Sequence, residues 1–135
     1  MNIPFKSDAL GKLFLRLTLG LLMLFHGISK LMNPVRTVES MGGLLTAAGL
    51  PTYLAYGVFI GEVLAPLLIV LGIYSRIGGL IVVINMVFAV LLAHSAQLLT
   101  LTKNGGWALE LQGFYLLTGL ALFFLGSGKI AAKPD

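Results

Sequence analysis

The run from Tyr53 to Leu71 carries one charged side chain, Glu62, inside an otherwise apolar segment. A membrane-crossing helix needs about 20 apolar residues, so this run is long enough to span a bilayer. A carboxylate in that setting is costly, roughly 2.5–3.5 kcal/mol near the centre on insertion scales. It persists where it faces a protein interior, a wet cavity, or a cation or donor on a neighbouring helix. Whatever fold the chain adopts must give Glu62 such surroundings.

Composition places the whole chain in the same setting. Over 135 residues it is 58% hydrophobic and 10% charged, against about 25% charged in ordinary soluble domains. Its mean hydropathy is +0.99. The length fits one domain, 1–135. The formal net charge of +4 comes from basic residues scattered without a run. They read as flanks of membrane segments, with the lipid bilayer as partner and no nucleic acid. The absence of cysteine excludes thiol chemistry, thiolate metal sites, thioether-linked haem and cysteine-held iron–sulfur clusters. A redox role then needs a diffusible cofactor or a partner protein. The first apolar stretch carries Arg16, His26 and Lys30 and runs into Asn33-Pro34, so it does not read as a cleaved signal peptide.

The expected fold is all-α, an integral membrane four-helix bundle with spans at about 12–32, 53–73, 77–96 and 107–125. Ser7 or Asp8 suits the first N-cap, and Pro34 stops the first span. The segment from Val35 to Leu50 is too short and glycine-broken to cross. Val38, Met41, Leu44, Leu45 and Ala48 recur at helical spacing there, which predicts a short interfacial helix between helices 1 and 2. Tyr53, Tyr56, Tyr74 and Trp107 fit aromatic belts. Lys129 to Asp135 reads as a solvated tail. Both termini fall on one side, with Lys6, Lys12, Arg76, Lys129 and Lys133 facing Lys30, Arg36 and Lys103 on the other. That imbalance places the termini in the cytoplasm.

Depth follows from a rise of about 1.5 Å per residue. His26, Lys30, His94 and Glu110 fall in one outer layer, while Glu62 lies roughly 15 Å below the start of its span. Asn85 and Arg16 are the polar groups nearest that depth. On helix 1, Arg16, Gly20, Met23, Gly27 and Lys30 form one stripe with His26 beside it. Asn85 and His94 are nine residues apart and point to opposite sides of an ideal helix, so one of them is expected in the site, Asn85 the stronger. Simpler readings stand beside these. Lys30 and Arg16 can snorkel, Arg16 can instead pair with Glu62, His26 can be a packing residue, and His94 with Glu110 can form an interfacial ion pair. Two His and two intramembrane Glu raise a metal site, but no pair has ligand spacing, so neither metal nor haem is expected. The Gly57 and Gly61 pair matches a close-packing motif next to Glu62.

Arg16-Leu17-x-Leu19-Gly20, Phe25-His26-Gly27-x-x-Lys30-Leu31, Gly61-Glu62-Val63 with Leu71-Gly72 and Arg76, and Asn104-Gly105-Gly106-Trp107 with Glu110 together resemble the DoxX family of small bacterial membrane proteins. The resemblance covers nearly the whole chain and implies a four-helix bundle in the cytoplasmic (inner) membrane. It also implies an association with oxidoreductase assemblies, among them thiosulfate:quinone oxidation and membrane partners of superoxide-detoxifying and sulfur-transfer enzymes. Arg16, His26, Lys30, Glu62 and Glu110 carry over as motif positions, without their roles.

The leading functional expectation is a membrane subunit of a redox assembly that holds a quinone, or a similar lipophilic small molecule, in a polar pocket of the bundle. It would not be catalytic alone, because the chain holds no electron donor and a redox partner protein must supply electrons. Glu62 and His26 are the catalytic candidates: Glu62, like Glu110, as a proton relay, and His26, like Lys30 and Arg16, as a donor to a quinone carbonyl. Arg16, Lys30, Asn85, His94, Trp107 and Glu110 are the ligand-binding candidates. A small proton- or ion-coupled transporter or channel, which would need a homo-oligomer, and a non-catalytic anchor or scaffold are the alternatives. All of these readings need the buried charges to turn inward and share one chamber.

Overall fold

A computed structural model describes residues 5–135, and within them the regular elements are all helices, with isolated bridges in place of strands. Helix α1 covers Asp8–Met32, and Ser7 caps it by accepting a hydrogen bond from the Leu10 N–H at 3.2 Å. Asp8 in the first turn and Lys30 in the last suit the helix dipole. Helix α2, Pro34–Ala47, opens on Pro34, whose missing N–H costs nothing in a first turn. It continues through Gly42 and Gly43 and stops before Gly49, which takes a positive φ of 74°. The expected apolar stripe is real at Leu45, which is buried, and at Val38, Met41 and Leu44, which are half-buried; Ala48 is exposed.

The second span, α3, covers Thr52–Leu71, and it is not uniform. A 3₁₀ segment at Thr52–Tyr56 leads into α-helix at Gly57–Phe59, a π turn at Ile60–Leu64, and α-helix again over Ala65–Leu71. Pro66 explains the fault. It sits four residues after Glu62, offers no N–H to the Glu62 carbonyl, and its ring crowds that carbonyl in a regular helix. Widening the turn to the π form relieves the crowding, as insertions of this kind do elsewhere.

Helix α4 covers Ser75–Ala93, and α5 covers Glu110–Leu125. They pack closely because Gly79 and Gly119 face one another: a Cβ on either would lie 2.6 or 2.9 Å from the other's carbonyl oxygen. Helix α1 packs on the second half of α3 and on α5. Leu19, Met23, Ala65, Ile69, Val82, Met86, Tyr115 and Leu122 form the core between the four helices. Outside it, large apolar side chains such as Phe14, Phe25, Leu64, Ile84, Phe114 and Phe124 are exposed around the bundle. That surface belongs in lipid, and this is a membrane protein.

Two expectations change. Among the described residues three helices, α1, α3 and α4, are long and apolar enough to cross a membrane, whereas α5 has 16 residues, about 24 Å of rise. It starts at Glu110 rather than Trp107 because Thr102 N–H bonds to Gly106 at 2.7 Å and Ala108 N–H to Thr100 at 3.0 Å, holding the preceding loop in a turn. The tail, expected in solvent, is docked. Ala132 and Lys133 donate backbone N–H groups to the carbonyls of Leu71 and Gly72, each at 3.0 Å. The Asp135 carboxylate accepts from the backbone of Ser127 at 3.2 Å and of Arg76 at 3.0 Å, at the start of α4. Gly128 packs against the Lys12 side chain, so the start of α1 and the tail share one end of the bundle.

Candidate functional site

Glu62 finds its partner on α1. Lys30 Nζ donates to both carboxylate oxygens, at 2.6 and 2.7 Å. Asn85 on α4 adds a longer contact, Nδ2 to Oε2 at 3.4 Å. The Glu62 side chain is only 6% exposed and that of Lys30 31%, so the ammonium, rather than the carboxylate, is the wetter half of the pair. A desolvated carboxylate bonded through both oxygens to a cation is stable in a low-dielectric interior; unpaired, it would not be.

Small residues bring these groups together. Gly27 on α1 leaves no space for a Cβ beside the Glu62 carbonyl, and Gly61 leaves none beside the Asn85 side chain. The π turn sits at this meeting point, so Glu62 projects from the irregular part of α3. The first turns of α3 run past the end of α1 and pack on α2. Lys30 therefore meets Glu62 directly, although residue counting had set the two in different layers.

A pocket of about 390 Å³ opens beside the ion pair. Its walls come from α2 (Met41, Leu44, Leu45), from the start of α3 (Leu54, Ala55, Gly57) and from one stripe of α4 that includes Ile81, Asn85, Phe88 and Leu92. The polar side chains among the lining residues are Lys30, Glu62, Asn85 and His94. Apolar walls with a few convergent polar groups are the usual make-up of a small-molecule site.

Asn85 and His94 both line this pocket, where helical angles predict that only one would. The reason is local: α4 ends at Ala93, and His94 has left helical geometry with φ −132°. Its direction is no longer tied to that of Asn85.

The other candidates lie elsewhere, so of the charges expected to share one chamber only Lys30 and Glu62 do so. Arg16, 1% exposed, does not pair with Glu62. Its Nε and Nη2 donate to the last-turn carbonyls of Ile69 and Val70, at 3.0 and 3.2 Å, and its Nη1 to those of Ser127 and Ile130 in the tail, at 2.9 and 2.6 Å. The end of α3 supplies unbonded carbonyls, and a guanidinium has the fork of donors to satisfy them. His26 is exposed and meets the Tyr115 ring nearly at right angles, with centroids 5.9 Å apart, on the α5 side of α1. Glu110 is exposed beside Gly106. It forms no ion pair with His94, whose Nδ1 instead meets Gln97 Oε1 at 3.0 Å. Trp107 donates Nε1–H to the Leu98 carbonyl at 2.8 Å and stacks over Gly113, which ties the loop to α5. Among the described residues no three His, Asp or Glu side chains gather as a metal set.

Residue spacing did not reveal the α2 wall, the Tyr115 contact or the π turn. Pro66 four residues after Glu62 is the one signal that marks the last of these.

The fold and the site define a small helical membrane protein with a half-buried ion pair at the head of an apolar pocket. The chain belongs to the DoxX family, whose model matches residues 11–95. It is 28% identical over 129 residues to a Bacillus subtilis (strain 168) protein named "Putative oxidoreductase CatD", covering 96% of this chain and 89% of that one. An uncharacterized protein of Haemophilus influenzae is 32% identical over 122 residues, 87% of this chain and 84% of its own length. No solved structure matches the chain.

Proposed function

We infer that this chain is the membrane subunit of a redox assembly and holds a quinone, or a similar uncharged lipophilic molecule, in the pocket headed by Lys30 and Glu62. The carrying observation is the polarity of that pocket: one neutralised ion pair and an amide at the end of apolar walls. Because Lys30 and Glu62 cancel each other's charge, the pocket favours an uncharged ligand over an ionic one. Lys30 spends two N–H groups on Glu62, and its third is the donor for a ligand carbonyl. Membership of the family and the name of the Bacillus relative support a redox setting. Electrons would come from a partner protein, and the Lys30–Glu62 pair would handle protons.

The same reading places the chain in the bacterial cytoplasmic membrane with both termini inside. Lys30 is held in an ion pair and is not a flanking cation. With Lys12 set aside likewise for its pairing with Asp8, Lys6, Arg76, Lys129 and Lys133 on the terminal side stand against Arg36 and Lys103, a bias of the same sign.

The test uses purified full-length protein in micelles, with quinone analysis of its lipid extract and titration with decylubiquinone. Bound quinone and a rise in melting temperature are expected. Gly57 lines the pocket with open space where a Cβ would go, so Gly57→Leu should fill the pocket and abolish the rise while the bundle stays folded. An extract without quinone, together with no response to decylubiquinone, would overturn the reading. A bundle weakened by Glu62→Gln that binds nothing would favour a scaffold role.

A further inference from the structure

Two polar poles face the same pocket, and they differ in what they offer. The pole at Lys30 is a donor. The other pole, His94, lies nine residues along from Asn85, about 13 Å of helical rise. Its ring neighbour is Gln97, which lies one turn further on in the 3₁₀ segment Ser95–Gln97. Gln97 Oε1 stands 3.0 Å from His94 Nδ1, and an amide oxygen only accepts. A neutral ring that donates to this oxygen carries its proton on Nδ1, which leaves Nε2 a bare acceptor. His94 lines the pocket, and in that tautomer Nε2 is the polar ring atom it has left to offer a ligand.

We propose that Gln97 is a positioning residue for His94, and that the acceptor it creates makes the pocket select the hydroxyl-bearing, reduced form of its ligand, a hydroquinone, over the quinone. The proposal rests on the quinone reading above and adds the redox form. A carbonyl and a hydroxyl oxygen can both accept from Lys30, so that pole does not discriminate. Only a hydroxyl can donate to Nε2. The oxidised form would leave Nε2 facing a lone pair, with neither group satisfied. Linkage then requires that a site binding the reduced form more tightly also holds it more firmly against oxidation than free ligand.

The experiment compares decylubiquinol under argon with decylubiquinone, both titrated into the full-length protein in micelles. The quinol is expected to bind about tenfold more tightly, the worth of one well-made hydrogen bond. Gln97→Ala should remove most of that preference while leaving quinone affinity within about twofold, and His94→Phe should remove the preference as well. Histidine ¹⁵N spectra, assigned with His26→Phe, should show His94 protonated at Nδ1 without ligand, a mixture of tautomers in Gln97→Ala, and a shift of Nε2 on adding quinol alone. A protonated Nε2 in the ligand-free protein would overturn the proposal. So would equal affinity for the two forms, or a preference that survives Gln97→Ala; in these cases the quinone reading itself stands. If neither form binds, both fall together.

Discussion

Gly27 on α1 lies directly against the peptide carbonyl of Glu62 on α3, with no room between them for a methyl group. That contact lets Lys30, one helical turn further along α1, reach the carboxylate of the same residue. Close backbone approach and the ion pair are one arrangement.

Gly27→Ala should therefore weaken the bundle by about 1–3 kcal/mol, the usual cost of overpacking. Gly57→Ala is the control. Its Cβ would meet nothing within 4 Å, and alanine is the better helix former by about 0.5–1 kcal/mol, so it should be neutral or slightly stabilising. Denaturant unfolding of both variants in micelles reads the difference, and equal stabilities would refute the contact.

Lys30→Met leaves a desolvated carboxylate without its cation. Breaking a buried pair typically costs about 3–5 kcal/mol, and the partial exposure of Lys30 should bring the value to the lower end or below. Adding Glu62→Gln to Lys30→Met should recover most of the loss, since the remaining charge is gone. A double-mutant cycle measures this coupling, and simple additivity would argue against the pair.

Arg16→Lys keeps the charge and loses the fork. A lysine cannot serve four carbonyls on two segments at once, so the tail should detach while the pocket stays intact. Faster hydrogen exchange or proteolysis over residues 129–135, with ligand affinity unchanged, is the expected pattern. A tail as protected as in the wild type would show that Arg16 does not hold it.

Trp107→Phe removes the hydrogen bond to the Leu98 carbonyl but keeps the ring over Gly113. The expected loss is about 1 kcal/mol, confined to the loop before α5. Amide exchange at Thr100 to Ala108 would check it, and a change spread through the whole bundle would contradict a local role.

Residues on one face of one regular helix were legible in advance. The stripe of Arg16, Gly20, Met23, Gly27 and Lys30 has Arg16 to Gly27 buried against the rest of the bundle and ends at Lys30 beside Glu62, because α1 is an uninterrupted helix and its angles follow from counting. Counting failed at its interruptions. His94 turns toward the pocket because α4 has already ended, and Glu62 projects from a π turn that Pro66 imposes.

What the sequence by itself determined is the membrane setting, the apolar helices and the need for Glu62 to find a partner, since hydropathy and the cost of a bare charge act on each segment alone. Which partner it finds was decided by tertiary structure. Lys30, rather than Arg16, meets Glu62 because α3 runs past the end of α1, and Arg16 is captured instead by open carbonyls at the end of α3 and in a tail more than a hundred residues away in sequence. Those carbonyls are present in every peptide chain, and only the fold decides which of them a given side chain can reach.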